Sequence, residues 1–273
     1  MIDDDLPLGV RARYRLARMF ENRVAAHLPD RHLRIPGPDG KIYLNLRESG
    51  MTVNRAFRVY EYWMMSFVRS LLEPGMTAID VGANQGDYTL RFAHLVKDGG
   101  RVLAFEPDPE NCHWLQKSIE ANDYRWVEVH QIALSEREGS ATFYPGGKSG
   151  WGSLKPGSRN AKKRPPFDVR TRRLDDVLSD LAIGNVDLIK VDVEGSELGV
   201  LKGCQSLLSD SKNVTLVLDV DAETEDDERQ EIYEFLNSTC GLQVWKLGKT
   251  IESSRNLEAA GAVVASKRPN MSR

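Results

Sequence analysis

From residue 78 onward, short apolar runs alternate with helical patterns, and this alternation restricts the chain to few architectures. Strand patterns are predicted at residues 78–81, 101–105, 126–132, 186–193 and 214–220, and helical ones at 87–96, 109–122, 174–181, 198–208 and 225–238. Strands separated by helices of this length are joined by right-handed crossovers into a parallel sheet with helices on both faces. Residues 142–144 begin another extended piece. The last two strand patterns, 242–247 and 262–265, have only a loop between them, which predicts an antiparallel hairpin at a sheet edge. The expected fold class is therefore α/β.

The first 77 residues read differently. Asp3, Asp4 and Asp5 precede Arg11, Arg13, Arg15, Arg18 and Arg23, while Val10, Tyr14, Ala17 and Val24, with Leu16, Met19 and Phe20, form a helical stripe. Such a helix packs on the core or on a second subunit; the alternative is an arm that touches an anionic membrane surface or substrate. Pro36-Gly37-Pro38-Asp39-Gly40 is turn chemistry between short strands at 34–35 and 41–44. A helix is predicted over 57–72, ended by Glu73-Pro74-Gly75. The expected organisation is an N-terminal helical extension (1–32) and one domain (33–273), with a strand and helix cap (33–73) and a substrate-loop insert (145–170). A connection as long and irregular as 145–167 inside a compact domain is usually functional or disordered.

Composition excludes several classes. The formal net charge is −3, so no global positive field invites nucleic acid. Cys112, Cys204 and Cys240 are far apart and lack C-x-x-C spacing, which fits a reducing compartment better than a disulfide framework. The five histidines show no metal-ligand spacing. No apolar run approaches the ~18 residues needed to span a bilayer. Met-Ile-Asp-Asp-Asp leads into no apolar segment of the secretory type, so a cytoplasmic location is expected.

The first predicted strand runs into Asp80-x-Gly82-x-x-x-Gly86, followed by a helix. In a doubly wound sheet, ligands bind outside the carboxyl ends of the strands where strand order reverses. Gly82 and Gly86 admit close backbone approach. Asp80 can accept from an ammonium, and Asn84 can donate and accept. Glu106 ends the next strand, where a carboxylate can accept both hydroxyls of a ribose. The dinucleotide loop is G-x-G-x-x-G and binds a pyrophosphate. A carboxylate beside the loop would repel a pyrophosphate and attract an amino group. The pattern therefore favours S-adenosylmethionine over a nicotinamide dinucleotide.

Four segments occur in order: Ile79-Asp80-Val81-Gly82-Ala83-Asn84-Gln85-Gly86, Phe105-Glu106-Pro107-Asp108-Pro109, Ala133-Leu134-Ser135 and Asp187-Leu188-Ile189-Lys190-Val191-Asp192-Val193-Glu194-Gly195. Together they resemble the FkbM-type methyltransferases. The resemblance implies a Rossmann-like class I methyltransferase domain with a mostly parallel seven-stranded sheet, S-adenosylmethionine as donor, and transfer usually to an oxygen of a sugar, polyketide or other natural product. It implies that Asp80, Gly82, Ala83, Asn84 and Gly86 line the methionine part of the cofactor. It also implies that Glu106, beside Pro107, holds the ribose, and that Ala133 and Leu134 lie near the adenine. Tyr60-Glu61 matches a pair that precedes the family's core domain, with Glu61 closing over the cofactor.

The predicted strand 186–193 is central, yet Lys190 and Asp192 fall within it and Glu194 just after. Alternation places all three on one face. They form either an ion cluster that positions the loop or a catalytic group facing the methyl, in which Asp192 also touches the cofactor. A carboxylate or lysine with a pKa near neutrality can take a hydroxyl proton. A divalent cation such as Mg²⁺, held by Asp192, Glu194 and Asp219, can instead acidify the hydroxyl. Trp151 either stacks on a ring of the ligand or anchors its loop. Lys162, Lys163 and Arg164 read as a solvated face, or as contacts for an anionic acceptor. The expected partner is a small-molecule or glycan acceptor, with a homodimer through the N-terminal helix. An N-methyltransferase, a non-catalytic cofactor-binding scaffold and a nicotinamide oxidoreductase remain as alternatives.

Overall fold

A computed structural model describes residues 7–24, 31–45, 61–147, 149–156, 164–220, 224–246, 249–250 and 261–267. Tyr60, Lys162 and Lys163, and the N-terminal part of the helix expected over 57–72, lie outside the described residues.

The chain opens with helix α1 (Leu8–Val24), a hairpin of β1 (His32–Gly37) and β2 (Gly40–Asn45), and α2 (Tyr62–Leu71). The repeating part follows: β3 (Thr77–Val81), α3 (Asp87–Val96), β4 (Arg101–Phe105), α4 (Pro109–Asn122) and β5 (Val127–His130). Strands β6 (Ala133–Leu134), β7 (Gly139–Phe143) and β8 (Phe167–Arg172) form a small separate sheet. Then come α5 (Leu174–Asp180), β9 (Leu188–Val191), α6 (Glu197–Gly203), α7 (Gln205–Asp210), β10 (Thr215–Val220) and α8 (Asp226–Glu234). Strands β11 (Gln243–Lys246), β12 (Lys249–Thr250) and β13 (Gly261–Ser266) complete the described elements.

The main sheet runs β5-β4-β3-β9-β10-β13-β11-β12. The first five strands are parallel, and β13 is antiparallel to both β10 and β11. The expected antiparallel pair is present, with the last strand inserted between β10 and β11 and only the two-residue β12 beyond them. Ile79, Leu103, Ile189 and Leu216, one on each of four adjacent strands, are fully buried. Each such side chain contributes roughly 1.5–3 kcal/mol on leaving water. Strand order reverses at β3, which has β4 on one side and β9 on the other. A cleft therefore opens past the carboxyl ends of these strands.

Several boundaries differ from the sequence expectation. The strand at 126–132 ends at His130, and Ala133–Leu134 peels away to pair with Thr171 and Arg172. The strand at 186–193 shortens to Leu188–Val191. The helix at 198–208 breaks at Cys204. The helix at 225–238 finishes as a π turn over Phe235–Thr239. Among the described residues, no helix is long and apolar enough to cross a membrane.

Candidate cofactor and catalytic site

The turn after β3 is shaped by contact with the end of β9. Gly82 has φ +79°, and a Cβ there would lie 1.8 Å from the Asp192 carbonyl oxygen. No other residue type fits. Its N–H and that of Ala83 both donate to the Phe105 carbonyl at the end of β4, at 2.9 and 3.0 Å. One turn thus brings three strand ends together. Gly86, with φ +103°, starts α3.

The cleft is lined by Gly82, Asn84, Glu106, Pro107, Ala133 and Leu134, with Asp192 and Glu194 on the side of β9. These eight were singled out in the sequence, and the fold assembles them. Four other expected cofactor residues sit apart, Gly86 at the start of α3 among them. Ala83 turns away into an apolar cluster with Ile42, Leu44 and Leu90. Glu61 precedes α2 with φ 41°. Asp80 is 1% exposed and lies beneath the cleft, not on its wall.

Glu106 is the anchor of the cleft. Its Oε2 accepts from the Asn84 backbone N–H at 2.8 Å. Its Oε1 accepts from the Asp108 N–H at 2.9 Å and from Asn111 Nδ2 at 3.3 Å. Burial pushes its pKa up to about 7, against those hydrogen bonds, which favour the ionised form. Asn84 Oδ1, also in the cleft, is buried without a hydrogen-bond partner. An unsatisfied buried acceptor calls for a donor, and an ammonium or a hydroxyl would supply one. The donor and acceptor set fits an amino-acid nucleoside.

Behind the cleft lies a buried charged cluster. Lys190 Nζ donates to Asp192 Oδ2 at 2.8 Å and stands 4.3 Å from the centre of the Tyr88 ring. The Tyr88 hydroxyl donates to Glu61 Oε2. Asp80 is directly opposite Lys190 in the β3–β9 register, and its Oδ2 accepts from Thr89 Oγ1 at 2.6 Å. Burial raises the pKa of Asp80, and the charge of Lys190 opposes that rise. Burial alone would lower Lys190, yet Asp192, Asp80 and Glu61 together hold its ammonium above the ordinary lysine range. The shift is away from neutrality and keeps the Lys190 ammonium charged.

One sequence expectation needs correction here, and another finds no support. Glu194 does not continue the alternation of the strand: β9 has ended, and Glu194 takes φ 53° in a turn. The metal assignment gains no support. Among the described residues, no three His, Cys, Asp or Glu side chains form a group able to hold an ion. Asp192 is engaged by Lys190, Glu194 has turned off the strand, and Asp219 is paired in register with Ala262.

The insert also reaches the cleft, through Gly150, Gly152, Ser153 and Leu154. Ser153 Oγ donates to the Glu194 carbonyl at 2.6 Å, and Lys155 Nζ bonds both carboxylate oxygens of Glu228 at 2.8 Å. Trp151 is 36% exposed and is not on the cleft wall; its backbone packs against Gly146. Arg164 forms a bidentate pair with Asp108 at 2.8 and 3.0 Å, so it is not merely a solvated charge. Sequence reasoning missed Tyr88, Asn111 and Ser153. Their positions in helix and loop patterns carried no signal beyond ordinary helix and turn residues.

The strand order, the reversal at β3 and the cleft beside it are those of the class I S-adenosylmethionine-dependent methyltransferases. Within that class the chain belongs to the FkbM family: the Methyltransferase FkbM domain matches residues 80–243. Among its relatives is a 2-O-methyltransferase NoeI from Sinorhizobium fredii, 30% identical over 52% of this chain and 63% of its own length. Another is the 31-O-demethyl-FK506 methyltransferase FkbM of Streptomyces tacrolimicus, 31% identical over 49% of this chain and 61% of its own. The hexuronic acid methyltransferase AglP of Haloferax volcanii is 28% identical over 50% of this chain and 53% of its own. The match thus spans less than two thirds of each relative.

Proposed function

We propose that this protein transfers a methyl group from S-adenosylmethionine to a hydroxyl of a sugar or other natural product. The observation that carries this reading is the meeting of Glu106, Asn84 and the Lys190-bound Asp192 in one cleft. The relatives named for 2-O, 31-O and hexuronic acid methylation support an oxygen acceptor on such molecules. S-adenosylmethionine, when bound, supplies an electrophilic methyl on a sulfonium. Glu106 accepts from the ribose hydroxyls, and Asn84 Oδ1 accepts from the ammonium. Ala133, Leu134 and Pro107 give the adenine an apolar wall. Asp192 takes the acceptor's proton, and Lys190 fixes the position of that carboxylate. The insert borders the cleft through Gly150, Gly152, Ser153 and Leu154 and contributes to acceptor choice. We place the protein in the cytoplasm, where its three buried free thiols are stable. We also assign a homodimer through α1, whose exposed Leu8, Leu16 and Met19 lie on one stripe.

Calorimetry with S-adenosylhomocysteine and with NAD tests the cofactor; tight NAD binding without S-adenosylhomocysteine binding would overturn the reading. Asp192→Asn should lower methyl transfer at least ~100-fold, the usual range for a lost general base, while S-adenosylhomocysteine still binds. Full activity in that variant removes Asp192 from the mechanism.

A further inference from the structure

On the far side of the cofactor turn lies a second cavity, of about 370 Å³, that shares no lining residue with the cleft. It opens between the β1–β2 hairpin, α2 and the start of α3, with Arg13 of α1 at its edge. Volumes of about 300–1,000 Å³ are those of small-molecule sites. Its apolar wall is made by Ile42, Leu44, Met65 and Leu90.

Three guanidinium groups line the same cavity: Arg13, Arg69 and Arg91. Arg91 is committed to Asp39, Nε to Oδ2 at 2.7 Å, and both side chains are nearly buried. Burial lowers the Arg91 pKa, Asp39 opposes this, and the neighbouring charge of Arg69 adds to the lowering. Arg69 is exposed at the last turn of α2 and pairs with no carboxylate among the described residues. The Arg13 guanidinium donates to the Gly9 carbonyl of its own helix at 3.2 Å. Asp87 also lines the cavity, in the first turn of α3, where the helix dipole favours it. Among the described residues, three arginines against two aspartates leave one positive charge in surplus. Like charges held together beside an apolar wall are unfavourable until an anion joins them, and arginine is the side chain best shaped to grip an oxyanion.

We propose that this cavity binds an amphipathic oxyanion, a phosphate or carboxylate head held by Arg69 and Arg13 with a short apolar tail against Met65, Leu44 and Leu90. The assignment stands whether or not the methyl-transfer reading holds.

Calorimetry with octyl phosphate, octanoate, inorganic phosphate and octyl glucoside tests it on the full chain. Octyl phosphate or octanoate should bind saturably at one site, and comparing the two identifies the preferred head. Inorganic phosphate and octyl glucoside should each bind at least ~10-fold more weakly, because each lacks one half of the recognised chemistry. Arg69→Glu and Arg13→Glu should each weaken the anion roughly tenfold or more, as loss of a charge-assisted contact does. S-adenosylhomocysteine affinity, unchanged in both variants, reports that they are folded. Arg69→Gln, which removes the charge without inverting it, should fall between. Wild-type affinity in both glutamate variants, no binding of either amphiphile, or inorganic phosphate binding as tightly as octyl phosphate would overturn the proposal.

Discussion

A carboxylate as deep as Glu106 stays ionised only to the extent that its neighbours donate to it. Two backbone N–H groups and Asn111 do so, yet burial still lifts its pKa from 4.5 to about 7. The folded chain therefore holds this proton more tightly than the unfolded chain. The stability it lends is complete below pH 4.5 and is lost as pH rises through 7. Glu106→Gln should remove that part of the pH dependence, measured as urea midpoints across pH 5–8. Ribose hydroxyls require the ionised form, so S-adenosylhomocysteine affinity in the wild type should rise between pH 6 and 8, by up to about tenfold per unit below the pKa. A pH-independent affinity would count against Glu106 as the ribose anchor. At this scale the sequence was readable for residues whose backbone position decides their role, such as Gly82 and Glu106. It was less so for Asp80. Its place at the end of a strand was evident, but which side of the loop its carboxylate would face was set by Lys190 on a strand 110 residues later in the chain.

Among the elements, the insert carries the least regular sequence and a specific tether. Ser153 Oγ bonds the Glu194 carbonyl, and the left-handed turn at Glu194 presents that carbonyl to it. Lys155 and Glu228 form an outer tie, but Lys155 is half exposed, and such pairs contribute at most about 1 kcal/mol. Ser153→Ala should loosen the insert by about 1 kcal/mol, the usual net worth of one hydrogen bond, and so speed S-adenosylhomocysteine release roughly fivefold. Stopped-flow displacement measures this; an unchanged release rate would mean the insert does not gate the cleft. Strand β8 closes the insert and was not foreseen, although Phe167-Asp168-Val169-Arg170-Thr171-Arg172 alternates, with Val169 and Thr171 buried. Its charged outward positions masked the period. The helix break at Cys204 was equally hidden. It accompanies a close approach in which a Cβ on Gly203 would meet the Ser135 carbonyl at 2.2 Å, a tertiary contact that leaves no local mark.

For the whole molecule, the parallel sheet and its reversal at β3 were legible because apolar runs and helical patterns alternate from residue 77 to 130 and again from 174 to 220. The position of β13 inside the sheet was not, since nothing in an apolar run names its neighbour. Helix α1 shows two faces. Val10 and Ala17 are buried, while Leu8, Leu16 and Met19 are 83%, 53% and 54% exposed. A stripe of this kind is what a contact surface presents. Light scattering should therefore report a dimer, and Leu16→Glu should shift it to monomer; a wild-type monomer at micromolar concentration would remove α1 as an interface. The closeness of Gly82 to the Asp192 carbonyl bears on how such proteins recombine. The turn after β3 and the end of β9 interlock, so the segments 79–86 and 188–195 travel as one unit. A chimera that exchanges only the second of them would drive foreign backbone into the turn. The insert is itself tied to the second of these segments through Ser153 and the Glu194 carbonyl, so a graft between relatives that replaces it has to preserve that contact.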